Sequence, residues 1–326
     1  MRVTSALEAP VAHGRIASPS YQWIDCPICE SSDALKRLDV LSDGHGVVRC
    51  GRCGMLFLNP HYDADSLDRF YAPKEISVER VWGLPFDARS FDVAAYDRSG
   101  TARDMRRRLA LAQKHVPRGR LLDVGCSIGL LLFEAQRAGY EAVGLDLSAK
   151  LAAYAREVVK VDARVGSLET LSATLGRFDA IVLWDVLEHL PFPGFTLSLI
   201  NTHLEPGGCL FVHIPNANGL GNAWKTWVSE RGLRAPEKRW SHFGIPFHLM
   251  WFTPATARRL VEKLGYEWVE HGAWSHLRKE AAPSFAKQLA NWPLEKSVRT
   301  SYFWFVVRKV AEPPAHRLVL PEALRV

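Results

Sequence analysis

Hydrophobic and polar positions are patterned unevenly along the chain. From residue 121 to residue 307, short apolar runs bounded by glycine, proline or acidic residues alternate with stretches of helical composition. Apolar runs at 121–124, 142–145, 161–165, 178–184 and 209–214 predict buried strands. Between them lie predicted helices: 130–138, stopped by Gly139; 149–159, capped by Ser148; and 193–203, ahead of the turn Glu205-Pro206-Gly207-Gly208. A further helix, 254–264, starts at Pro254 behind Thr253 and is closed by Gly265. Strands 266–270 and 302–307 follow. The second of these is read as the last, antiparallel strand of the core rather than a lipid-facing segment, being strand-like and too short to span. Strand, helix, strand in steady succession predicts an α/β domain with a largely parallel sheet.

The cadence breaks in two places. Ahead of residue 121 the pattern predicts a strand at 55–60, a short helix at 65–71 and an amphipathic helix at 102–116, whose arginines read as a solvated basic face; residues 74–91 show no period. Residues 215–247 are rich in asparagine, glycine and aromatics, Trp224, Trp227 and Trp240 among them. A long insertion at the carboxyl ends of the strands is placed to cover a substrate. The expected division is an arm without fixed structure (1–20), a cysteine ribbon (21–58), a helical connector (59–116), a nucleoside-binding core (117–215), a lid insertion (216–247) and the rest of the core domain (248–326).

Composition narrows the class only slightly. With 326 residues, 48% hydrophobic and 23% charged, the chain has room for a full α/β domain with attachments. A net charge of +6 is mild at this length, so a dedicated nucleic-acid binder is not expected. The first twenty residues lack the apolar core of a secretion signal and no run approaches a membrane span, which predicts a cytoplasmic protein with at most weak peripheral membrane contact. Cysteine spacing says more. Four of the six cysteines form two C-x-x-C pairs, Cys26/Cys29 and Cys50/Cys53, with twenty residues between them. Four thiolates at this spacing predict a closed tetrahedral zinc site that holds a ribbon together, and Gly51 and Gly54 allow the tight knuckle. Cys126 and Cys209 read as small buried side chains.

The candidate chemistry centres on residues 121–147, LLDVGCSIGLLLFEAQRAGYEAVGLDL. The stretch reads strand, glycine turn, helix, strand, with Asp146 at the tip of the second strand. Gly125 lets backbone approach a ligand, and a carboxylate about 20 residues on can accept both hydroxyl hydrogens of a ribose. A dinucleotide site would add a third glycine where Leu132 stands, and Asp123 ahead of the turn would repel a phosphate. A cationic, phosphate-free nucleoside fits better. Residues Gly125-Cys126-Ser127-Ile128-Gly129 also spell the G-x-S-x-G nucleophile elbow, with Asp185 and His248 following in the Ser, Asp, His order. An elbow follows several strands, and few precede residue 121, so Ser127 reads as a turn residue.

On Asp123, Gly125, Cys126, Gly129 and Asp146 the chain resembles the class I S-adenosylmethionine-dependent methyltransferases. The resemblance implies a Rossmann-like seven-stranded methyltransferase sheet, here with a small N-terminal zinc ribbon and a lid insertion. It also implies a cofactor site made of those five residues with Ser127, Leu147, Asp185 and, at the adenine, Ser167 and Leu168.

A second constellation is Asp185-x-x-Glu188-His189 followed by His248, which the fold would gather at one sheet edge. It is similar to the subgroup with an acidic-x-x-Glu-His motif, which includes O-methyltransferases of quinone biosynthesis, sugar methyltransferases and a small-RNA ribose methyltransferase. The expected reaction is O-methylation of a hydroxyl on a small-molecule or glycan-like acceptor. His189 or His248 would serve as base with Glu188 orienting it, and two carboxylates with two imidazoles offer a second route through Mg2+. C-methylation of a nucleotide-linked keto sugar needs a base as well and stays open. Trp184-Asp185-Val186-Leu187 is not the N/D-P-P-Y pattern of enzymes acting on exocyclic amines of bases, which disfavours those acceptors.

Overall fold

The computed structural model describes residues 20–41, 44–62, 66, 90–245, 247–274, 298–319 and 321. The expected arm, the 65–71 helix and almost all of 74–91 lie outside them. The cysteine-bearing segment contains β1 (Tyr21–Gln22), β2 (Leu35–Val40), β3 (Gly46–Cys50), β4 (Leu56–Leu58) and β5 (His61–Tyr62). Two helices, α1 (Val93–Arg98) and α2 (Gly100–His115), lead into the core; Asp92 and Ser99 cap them by accepting from the backbone amides of Ala95 and Ala102. The core runs β6 (Arg120–Val124), α3 (Leu130–Arg137), β7 (Glu141–Asp146), α4 (Ala149–Tyr154), β8 (Asp162–Val165), α5 (Leu168–Leu171), β9 (Phe178–Trp184), α6 (Pro193–His203) and β10 (Leu204–Pro215). Then come α7 (Leu220–Glu230), β11 (Met250–Trp251), α8 (Pro254–Glu262), β12 (Tyr266–Gly272) and β13 (Tyr302–Lys309).

Seven strands form one sheet in the order β12-β13-β10-β9-β6-β7-β8. The five strands from β10 to β8 are parallel, and β13 runs antiparallel between β10 and β12. Their apolar composition follows from burial on both faces. On one face Leu121, Ala180, Val182, Phe211 and Val306 pack in one cluster with Met105 and Leu109 of α2 and Leu131 of α3. The other face, with Leu122, Ile181, Leu183, Val212 and Phe305, packs with Leu197 and Ile200 of α6 and Leu260 of α8. This second cluster continues into the ribbon through Val47, Met55 and Phe57 and into the lid through Trp240 and Phe243.

Three features differ from expectation, the first two for local reasons. The helix expected over 149–159 is α4 followed by one wide π turn, Ala155–Val159, which ends at Lys160 in the left-handed region. β10 starts at Leu204, five residues early, because its register with β9 shifts between Leu204 and Cys209 and absorbs the Gly207-Gly208 turn. The ribbon is larger than its cysteine segment: β11, from beyond the lid, joins it to make a four-stranded sheet β11-β4-β3-β2. Among the described residues no helix is long and apolar enough to cross a membrane.

Candidate functional site

The glycine turn is built by close approach. Gly125 and Gly129 have φ of +81° and +77°, and a Cβ on Gly125 would stand 2.6 Å from a methyl of Val186. Gly144 of β7 makes room beneath the turn, since a Cβ there would meet the sulfur of Cys126 at 2.6 Å. Cys126 is therefore buried packing whose thiol is pushed up by burial. The turn's amides are already used: Gly125 and Cys126 both donate to the Leu145 carbonyl, and Ser127, at φ +52°, donates to Asp146 Oδ2 at 2.8 Å. Amides consumed in this way are not offered to a phosphate.

Asp146 sits at the tip of β7 with Oδ1 accepting from the Ser148 amide at 2.8 Å. One lone pair on each oxygen remains. Burial raises its pKa, and the two amide bonds oppose the rise. Below it Asp123 is 4% exposed, and among the described residues no hydrogen bond reaches its carboxyl. Burial lifts its pKa to about 7 against the lowering charge of Arg108. Leu147, next to Asp146, is 54% exposed, an apolar surface beside that carboxylate. Ser167 caps α5, its hydroxyl and amide paired with Thr170, and Leu168 is buried at 1%. Ser167 and Leu168 are thus both engaged in α5, whereas Leu147 presents its side chain at the surface.

The second constellation divides. Asp185, at φ +60°, pairs its carboxylate with His213 and Arg108: Oδ1 accepts from His213 Nδ1 at 2.7 Å and Oδ2 from Arg108 at 3.3 Å. Arg108, placed by sequence on a solvated face, is instead 1% exposed, bonded also to Asp104 and lying over the Trp184 ring at 5.3 Å. A buried guanidinium needs such partners. The Ser, Asp, His order of a hydrolase is not assembled, because the acid meets His213 rather than His248.

Glu188, His189 and His248 do come together, with one ligating atom from each within 4.8 Å of the others. Their backbone explains why. Glu188 and His189 lie in a single 3-10 turn, Leu187–His189, behind β9. The Leu249 amide donates to the Glu188 carbonyl at 2.8 Å, and the Leu58 amide of the ribbon donates to the Leu249 carbonyl at 2.9 Å. His248 is thereby held between the ribbon and the motif. The two imidazoles meet edge to face at 4.6 Å, and His189 Nδ1 donates to the Phe247 carbonyl, leaving Nε2 as acceptor. Burial lowers the pKa of both histidines, that of His248 to about 3 with further help from His189. Glu188 is raised well above its usual value by burial and by Asp185, and its Oε2 has no partner among the described residues.

Four-cysteine geometry suits a metal. Cys26 and Cys53 sulfurs lie 3.4 Å apart, those of Cys29 and Cys50 3.5 Å, and all four atoms fall within 4.8 Å. Tetrahedral zinc thiolates have sulfurs roughly 3.8 Å apart. The Cys26 thiol is pushed up by its bond to Cys53 and by burial, the state a bound cation would reverse. The ribbon also reaches the lid: Asp39 Oδ2 accepts from Trp240 Nε1 at 2.8 Å and from Arg239 at 3.1 Å.

Sequence reading did not find Arg108, His213, Asp39 or the aromatic wall beside them. His213 stacks on Tyr302 at 5.4 Å and on Trp274 at 6.1 Å, and Trp184 lies 6.3 Å from Trp274. Two signals were present. Arg108 keeps the helical phase of Met105 and Ala112, and His213 interrupts a strand that is otherwise apolar.

A glycine turn with its amides internally satisfied, an acidic strand tip and a seven-stranded sheet with one reversed strand define an S-adenosylmethionine-dependent methyltransferase. The family described as methyltransferase domain matches residues 94–271, more than half of the chain, and the protein belongs to it. Ubiquinone biosynthesis O-methyltransferase of Xanthomonas campestris pv. campestris is 39% identical over 111 residues, 32% of this chain and 46% of the relative. The same enzyme of Xanthomonas axonopodis pv. citri is 40% identical over 103 residues, 30% of this chain and 43% of the relative. The chain thus spans less than half the length of these curated relatives. Among solved structures, magnesium protoporphyrin IX methyltransferase of Synechocystis with bound S-adenosylhomocysteine is 16% identical, with a TM-score of 0.46 over 76% of this chain and 95% of that one.

Proposed function

We propose that this methyltransferase acts on a hydroxyl oxygen of a small-molecule or glycan-like acceptor, at the site formed by Glu188, His189 and His248. The meeting of these three side chains at the carboxyl edge of β9 carries the reading. The names of the O-methyltransferase relatives support it. When bound, S-adenosylmethionine supplies an electrophilic methyl on a sulfonium. Asp146 would hold its ribose, Leu147 would cover the base and Asp123 would face its ammonium end. Asp185 acts as a strut, fixed by His213 and Arg108. His189 Nε2, kept neutral by burial and by the fixed Nδ1–H, is the group positioned to take the hydroxyl proton. Trp184, Trp274 and Tyr302 offer flat faces against which a ring can lie.

A second reading has its own observation. The partnerless Oε2 of Glu188 and two imidazoles held neutral make a set of two nitrogens and one oxygen. With Asp185 held by His213 and Arg108, the set has one carboxylate beside two imidazoles and suits a borderline ion such as zinc or manganese better than Mg2+. Such an ion would lower the pKa of a bound acceptor hydroxyl. The four cysteines would hold a separate, structural zinc.

Incubation with 13C-methyl donor and a panel of phenols, catechols and sugars, with NMR of the products, tests the acceptor class. A new methyl signal in the methoxy region is expected. A C-methyl signal would transfer the assignment to carbon methylation.

A further inference from the structure

Helix α7 is packed inside out. Its inward side is polar: Asn222, Thr226 and Ser229 are buried, Asn222 donating to the Asn216 carbonyl at 2.9 Å and Thr226 lying 3.2 Å from His242 Nε2. Its outward side is apolar. Leu220, Trp224 and Trp227, at positions i, i+4 and i+7 of one helical stripe, are 48%, 63% and 42% exposed, and Leu233 just beyond the helix is 66% exposed. The usual arrangement is the reverse, because a surface helix buries its apolar stripe. Trp224 and Trp227 stack with ring centroids 5.2 Å apart and planes 15° from parallel, so they form one flat apolar plate.

Basic side chains accompany the plate. Lys225, Arg231 and Lys238 are exposed, and the Arg231 guanidinium lies 4.1 Å over the Trp227 ring. Glu230, the acid of α7, is held by Arg49 of β3 in an ion pair. Paired indoles accompanied by basic side chains match the two halves of an anionic membrane surface: tryptophan favours the headgroup boundary, and lysine and arginine favour the negative leaflet. A protein partner would more often be met by mixed charge at the rim.

We propose that Leu220, Trp224, Trp227 and Leu233, with Lys225, Arg231 and Lys238, form a site that seats the enzyme on an anionic lipid surface. The site stands apart from the choice of acceptor. It adds a place of work: α7 begins five residues after the end of β10, so docking brings the carboxyl edge of the sheet to the membrane.

Vesicle sedimentation of the full chain tests this, with phosphatidylcholine alone and with phosphatidylserine added. Binding is expected only where phosphatidylserine is present, and is expected to weaken with salt. The Trp224→Ala/Trp227→Ala variant and the Lys225→Glu/Arg231→Glu variant should each lose roughly tenfold or more in lipid affinity. Calorimetry with S-adenosylhomocysteine should give the same affinity for both variants as for the parent, showing that they fold. Absence of vesicle binding by the parent, or equal binding by folded variants, overturns the proposal. So does a concentration-dependent dimer that the tryptophan variant abolishes, which would assign the plate to a second copy of the chain.

Discussion

The two halves of the site are built in opposite ways. The donor half is local in the chain: a turn, a helix and a strand tip within residues 123–147 would supply the main contacts, and hydrogen bonds within residues 125–148 hold the turn and the Asp146 carboxylate, as when the Ser127 amide binds Asp146. The acceptor half is gathered from afar. Glu188 and His189 follow β9, His248 arrives after the lid, Arg108 comes from α2, and the strand following His248 is paired by the ribbon. Local construction makes a half robust to change elsewhere. Distributed construction makes the other half depend on every piece that holds it, the cysteine ribbon included.

Removal of the zinc proposed for the four cysteines should therefore give the largest effect and an unequal one. In zinc-finger peptides a structural zinc contributes about 10–16 kcal/mol, far more than a ribbon of this size holds by packing. Stripping the four-cysteine site, or Cys50→Ser, should release β4 and with it β11, abolishing turnover. Affinity for S-adenosylhomocysteine should change by less than roughly threefold, since the hydrogen bonds that hold the turn and the Asp146 carboxylate come from within residues 125–148. Calorimetry beside a turnover assay checks this. If binding fell in parallel with turnover, the halves would be one cooperative unit and the contrast would fail.

Point substitutions sharpen the same contrast. His189→Ala should cost roughly 10²–10⁴ in turnover with donor affinity unchanged, the range of a lost general base. Asp146→Ala should do the opposite: loss of two hydrogen bonds to a charged acceptor weakens S-adenosylhomocysteine by about 3–5 kcal/mol at most, and by roughly a hundredfold as the expected value. Titration calorimetry separates the two, and unchanged donor affinity in Asp146→Ala would remove the ribose assignment.

Legibility in the sequence follows the same division. The sheet could be read because strands buried on both faces are continuous apolar runs, and the donor motif could be read because its residues lie within one βαβ unit. Cys26, Cys29, Cys50 and Cys53 were legible through their spacing alone. The pairing of β11 with β4 was not, because two residues, Met250 and Trp251, carry no strand signal and their partner lies far upstream. Asp185 looked like a ligand in the motif. Its capture by Arg108 depends on a helix whose arginines differ only in phase. Leu168 stood where a ring could be covered, yet the capping box of α5 buries it.

The smallest effect tests the floor of the donor half. Asp123 is buried with its pKa raised to about 7, chiefly by burial and secondarily by the charge of Asp146. A carboxyl raised in the native state favours folding fully only below its unfolded value near 4; that contribution fades as pH climbs and is gone once pH has passed about 7. A ligand that places an ammonium beside Asp123 favours the ionised form and must expel the proton below pH 7. S-adenosylhomocysteine should then bind more tightly as pH rises from 6 to 8, by up to about tenfold per unit below the transition and not at all above it. Asp123→Asn should bind more weakly and show a flat profile. A parent profile that is already flat would mean that the carboxyl keeps its proton in the complex, and that Asp123 serves the turn from below rather than the ligand.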